Sequence, residues 1–168
     1  MLVVADTSPV RYLILIDQIT VLPVLFGRVV MPLAVAQELR HAHAPDRVRT
    51  WMAAPPAWME IRPAPPLLVA TLLRLGAGET EALSLAQALQ ADLVLLDDLE
   101  ARAEAERHAL AVMGTLRVLE LAAEHGLLDL PAVITQLETT SFHLPSRVVR
   151  DMLARDVARK APPPPDGR

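Results

Sequence analysis

Four short, mainly apolar runs punctuate the chain: Leu2–Ala5, Arg28–Met31, Leu93–Leu96 and Leu110–Met113. None is long enough to carry the apolar stripe of a helix. Leu93–Leu96 and Leu2–Ala5 read as strands buried on both faces, as in a parallel sheet covered by helices, and the other two as short strands. A fifth segment, Trp58–Ile61, is fenced by prolines on both sides. Proline removes a ladder donor, so this one reads as an edge strand or a loop. Between the runs the spacing predicts helices. Ser8 is placed to cap one and Pro9 to open it, with the helix ending near Asp17. Pro32 opens another, over Leu33–Arg40, and a short one lies near Val48–Ala53. After Gly76–Glu81, residues Ala82, Leu85, Ala86 and Leu89 recur at helical spacing. Further helices are expected over Leu99–His108 and at about 116–125, 130–139 and 145–160. Strands alternating with helices predict an α/β fold, a three-layer α/β/α sandwich with a mostly parallel sheet. No boundary divides residues 1–160, which read as a single domain. Residues 161–168 hold four consecutive prolines and read as a frayed tail.

Composition supports this picture. The chain has 168 residues, 52% of them hydrophobic but only 3% aromatic, which suits one helix-rich core built on Ala, Leu and Val. There is no cysteine, so disulfides and thiolate metal sites are excluded, consistent with a cytoplasmic protein. No apolar run is long enough to span a bilayer, and Asp6 interrupts the first one, unlike a signal peptide. Sixteen basic residues against twenty acidic give a net charge of −4. Nucleic-acid-binding domains are usually basic, but acids gathered at a metal site would account for several of those negatives.

The candidate chemistry follows from how the strands end. Leu93–Leu96 runs into Asp97 and Asp98, and Leu2–Ala5 into Asp6. In parallel sheets ligands sit in the crevice outside the carboxyl ends of the strands. Uncompensated carboxylates there repel and raise one another's pKa unless a cation lies between them. Glu38 on its helix, and Glu79 and Glu81 in the first turn of theirs, add acids. Each has a plainer reading: Asp6 as a helix cap, Glu38 as a solvated acid, Glu79 or Glu81 as a partner of the helix dipole, Asp97–Asp98 as a turn. Taken together they suit metal-assisted phosphodiester hydrolysis, in which Mg²⁺ or Mn²⁺ needs only a few carboxylates.

The ordered set of segments resembles the PIN-domain family. These are Val3-Val4-Ala5-Asp6-Thr7-Ser8-Pro9, Val29-Val30-Met31-Pro32 followed by Gln37-Glu38-Leu39, Leu75-Gly76-Ala77-Gly78-Glu79-Thr80-Glu81-Ala82-Leu83, Leu95-Leu96-Asp97-Asp98 with Ala101-Arg102, and Val112-Met113-Gly114-Thr115-Leu116. More narrowly, they resemble its small DUF3368 group, related to the VapC-type toxins. The likeness covers most of residues 1–140. It implies a PIN-like fold and a Mg²⁺- or Mn²⁺-dependent endoribonuclease. By position, Asp6, Glu38, Glu81 and Asp98 match the four catalytic acids, and Asp6, Glu81, Asp97 and Asp98 the metal ligands. Thr7 or Ser8, together with Thr115, match hydroxyls that order such a site, with Glu79 and Arg102 as supporting residues. The duplicated acids at 79/81 and 97/98 leave the third and fourth assignments open by one or two positions. The resemblance further implies an RNA substrate, pairing as a homodimer, and inhibition by an antitoxin protein. The alternative is a non-catalytic PIN-like module that binds nucleic acid or protein.

Rival chemistries fail on residues. A phosphatase needs a second Asp two positions after its nucleophile, where this chain has Ser8. A receiver domain needs a downstream Lys, and the only one is Lys160, in the last helix. His41 and His43 lack a third ligand in sequence and read as solvated. Arg147, Arg150, Arg155, Arg159 and Lys160 put positive charge along that last helix, a stripe that reads first as an ordinary solvated face.

Overall fold

The computed structural model describes residues 1–66 and 75–161; most of the proline tail lies outside them. The chain forms two compact units, Met1–Thr115 and Leu116–Arg168.

The first unit is built on a parallel sheet of β1 (Leu2–Ala5), β2 (Arg28–Pro32), β3 (Met59–Arg62), β4 (Leu93–Leu95) and β5 (Val112–Met113). Their order is β3-β2-β1-β4-β5, and all four pairings among the described residues are parallel. The helices of this unit are α1 (Thr7–Leu15), α2 (Val21–Phe26), α3 (Leu33–Arg40), α4 (Asp46–Ala53), α5 (Ala77–Leu89) and α6 (Leu99–Arg107). Val4, Val30, Val94 and Leu96 pack into one cluster with Ala82, Leu83, Leu85 and Ala86 of α5 and with Ala101 and Ala105 of α6. The residues that alternate with them, Val3, Ala5, Val29, Met31 and Leu95, are also fully buried. The sheet is therefore covered on both faces, the α/β/α layering that the unbroken apolar runs predict. Fully burying a Val or Leu is worth about 1.5–3 kcal/mol, against about 1–2 kcal/mol to fix one residue's backbone. Strands this short hold only where both faces are covered.

Two details differ from the sequence reading. The first helix begins at Thr7, with Asp6 rather than Ser8 at the capping position. The reason is that Asp6 N–H still donates to Leu95 O (3.1 Å), so the β ladder runs one residue further before the backbone turns. A short helix, α2, also fills the connection to β2, where no periodicity was long enough to announce it. The proline-fenced segment is indeed a strand and lies at the sheet edge, where a missing ladder donor is harmless.

The second unit consists of α7 (Thr115–Glu124, which starts at the boundary), α8 (Leu130–Glu138) and α9 (Ser146–Lys160). Asp129 caps α8, accepting from Ala132 N–H. The basic residues of α9 are paired: Arg155 with Glu120, Arg159 with Asp156, and Lys160 with Asp129 and Asp156. Arg147 and Arg150 each come within 3.9 Å of Asp151. The stripe is mostly neutralised from within. No helix among the described residues is long and apolar enough to cross a membrane.

Candidate active site

The strand order reverses direction at β1, which is flanked by β2 on one side and β4 on the other. Such a switch point opens a crevice beyond the carboxyl ends of the strands. Asp6 follows β1 there, and Asp97 follows the Leu93–Leu96 run.

Asp6 is only 4% exposed, and its Oδ1 is buried with no hydrogen-bond partner. Burial pushes its carboxyl from the ordinary 3.8 up to about 7. The charges of Glu79, Glu38 and Asp97 push the same way, and the Thr7 backbone amide only partly offsets them. A buried carboxylate with an unused oxygen costs free energy unless something positive meets it.

Glu38, in the second turn of α3, is gripped from two sides. Its Oε2 accepts from Thr7 Oγ1 and its Oε1 from Gly78 N–H at 3.0 Å. The second contact explains a glycine inside α5. A Cβ at position 78 would lie 2.9 Å from both Glu38 carboxylate oxygens, closer than the two can pack. Thr7, rather than Ser8, is thus the hydroxyl that orders this acid.

The two acids of α5 have different partners. Glu79 Oε2 takes Gly76 N–H (2.8 Å) at the start of its own helix. Burial holds its carboxyl above the usual range, helped by the charges of Asp98, Glu38 and Glu100. Glu81 Oε2 instead accepts Ala34 N–H (2.8 Å). Pro32 stands at the capping position of α3 with no side-chain acceptor, so Glu81 caps that helix from a neighbouring one, an orphan donor met by tertiary contact. Of this pair it is Glu79 that shares the electrostatic neighbourhood of Asp6 and Glu38.

The pair after β4 divides likewise. Asp97 accepts Thr115 N–H (2.7 Å) and Thr115 Oγ1 (2.6 Å), and Thr115 is fully buried. Burial still raises the Asp97 carboxyl, with those bonds and the Arg102 charge opposing. A Cβ on Gly114 would meet Asp97 Oδ1 at 3.1 Å and an Arg102 guanidinium nitrogen at 3.4 Å, so a second glycine yields space to a site carboxylate. Asp98 is exposed and caps α6, its Oδ1 accepting Ala101 N–H (2.9 Å).

The structure therefore draws Glu38, Glu79 and Asp97 into electrostatic reach of Asp6, with Asp98 beside Glu79. Ser8, half-buried, sits in the first turn of α1. Among the described residues, no three acidic or imidazole side chains stand ready to ligate one ion. Sequence reasoning passed over Arg11, which with Thr7, Glu38, His41 and His43 lines an adjoining cleft. Its spacing of four from Thr7 on one helix was the available signal.

The family model for DUF3368, described as a PIN domain, matches residues 2–157. The chain belongs to the PIN-domain family. No curated protein and no solved structure matches it. Membership of the PIN family assigns the chain a nuclease-type, nucleic-acid-binding fold, and the acids just described lie where such a parallel sheet places its ligand crevice.

Proposed function

We propose that this PIN-domain protein is an endoribonuclease that hydrolyses RNA phosphodiester bonds with Mg²⁺ or Mn²⁺. The observation that carries the reading is Asp6 Oδ1, buried and without a partner among like charges. An all-oxygen donor set without cysteine fits a hard divalent cation, and Mg²⁺ keeps most of its waters and needs only one or two carboxylates. Asp6 and Asp97 are the residues best suited to hold it, with Glu38 and Glu79 nearby. Glu81 and Asp98, which match ligand positions in the family pattern, each give one oxygen to a helix start and keep the other. The ion would supply Lewis-acid stabilisation of the phosphate and a water of lowered pKa.

The chain's own residues set the geometry. Thr7 and the Gly78 amide fix the Glu38 carboxylate, Thr115 fixes Asp97, and the β1–β4 ladder fixes Asp6. Glu38, within electrostatic reach of Asp6, would orient an attacking water through its remaining lone pairs. Arg102, beside Asp97, supplies positive charge for the phosphate. The toxin of a VapC-type pair is the cellular role this activity fits.

The absence of a ready three-acid cage among the described residues favours a second reading, a non-catalytic module that binds nucleic acid or protein. Mn²⁺-dependent cleavage of single-stranded RNA by wild type and by Asp6→Asn separates the two. The nuclease reading expects cleavage by wild type and its loss in a folded variant. Equal activity in both proteins, or none in wild type, sinks it.

A further inference from the structure

A cleft of about 460 Å³ opens beside Glu38, within the range of about 300–1,000 Å³ typical of small-ligand pockets. Thr7 and Glu38 line it together with Arg11, Gln37, His41 and His43, among small and apolar side chains. Strand-end carboxylates repel an RNA backbone, so a substrate must be held by groups outside them. The cleft supplies such groups next door.

Two features suit a nucleotide. The His41 and His43 rings form a tilted pair, centroids 5.0 Å apart, in a chain with few aromatic residues. Their loop is held in place. His43 N–H donates to His41 Nδ1 (3.3 Å), Ala44 N–H donates to His41 O (2.9 Å), and Arg49 donates to Ala42 O (2.8 Å). A fixed aromatic surface of this kind is what an unpaired base stacks on. Arg11 is the second feature. Its guanidinium carbon lies 5.6 Å from the centre of the Tyr12 ring, and its Nε is buried without an acceptor. Arg47 and Arg49 nearby are paired with Asp17 and Asp46.

We infer that this cleft is a nucleotide subsite: the base of a residue flanking the cut stacks on His41 and His43, and Arg11 binds its phosphate. The inference rests on the RNA-cleaving reading of the adjoining acids, but it is tested by binding alone.

The full-length protein, in EDTA, is titrated against a fluorescein-labelled single-stranded RNA and followed by anisotropy. His41→Ala/His43→Ala weakens binding about fivefold or more, the lower end of what one stacked base contributes, and His41→Phe/His43→Phe restores it. Arg11→Gln lowers the slope of log affinity against log salt by about 0.7, as expected for one single-strand phosphate contact. Unchanged affinity in the alanine pair, failure of phenylalanine to rescue, an unchanged salt slope in Arg11→Gln, or no RNA binding by wild type overturns the subsite. Metal-dependent cleavage is read separately. Its absence with these binding effects intact removes the nuclease reading and leaves the subsite standing.

Discussion

Asp6 makes the metal-free protein's stability depend on pH in a direction opposite to that of most carboxylates. In the unfolded chain its carboxyl ionises near the ordinary 3.8; in the folded one it holds its proton to about 7. Below pH 3.8 both states keep the proton and the group contributes no pH dependence. Between these values the unfolded state ionises freely while the folded state resists, so stability falls as pH rises and levels off above 7. Each tenfold in proton affinity is about 1.4 kcal/mol, which makes the loss on the order of 4 kcal/mol. A domain's whole stability is about 5–15 kcal/mol, so the effect is large. Asp6→Asn removes the ionisation but introduces an amide donor with no evident acceptor, at about 1–3 kcal/mol. The two curves should therefore cross. In urea denaturation with EDTA present, the variant is less stable than wild type at pH 4 and more stable by about 1–3 kcal/mol at pH 8. Glu79 and Asp97, also held above their usual range, titrate in both proteins and largely cancel in the difference. Millimolar Mn²⁺ at pH 8 raises the Tm of wild type more than that of the variant, because a ligand of the native state alone stabilises it. Parallel stability curves for the two proteins from pH 5 to 8 would refute the burial argument.

Other substitutions separate the structural acids from the reactive ones. Glu81→Ala uncaps α3 and lowers unfolding free energy by about 1 kcal/mol in urea titration; unchanged stability would show that Ala34 N–H finds another acceptor. Gly78→Ala sets up to about 1 kcal/mol of gained helix propensity against a Cβ 2.9 Å from both Glu38 oxygens and about 1–3 kcal/mol of overpacking. Its Tm should fall by a few degrees and its Mn²⁺-induced Tm shift should shrink; a rise in Tm with the shift unchanged would show that Glu38 has room to move.

The apolar runs by themselves determined the parallel α/β fold, since an unbroken apolar strand is stable only between two covering layers. They also announced the acids at the strand ends, because a buried strand ending in a carboxylate has few plain explanations. The edge position of Met59–Arg62 was legible for the same kind of local reason, its flanking prolines. What lay beyond the sequence was which carboxylate faces which partner. Glu79 and Glu81 are two residues apart in one helical turn, and both suit a helix start. Only packing against α3, whose Pro32 leaves Ala34 N–H without a cap, draws Glu81 away. Asp97 and Asp98 divide in the same way, one onto the buried Thr115 and one onto the first turn of α6. The start of α1 shifted from Ser8 to Asp6 because a ladder bond to β4 competes with local capping. Strand patterns are local and survive in the sequence; the direction of a side chain at a crevice is settled by contacts between segments tens of residues apart, and only the folded chain brings those together.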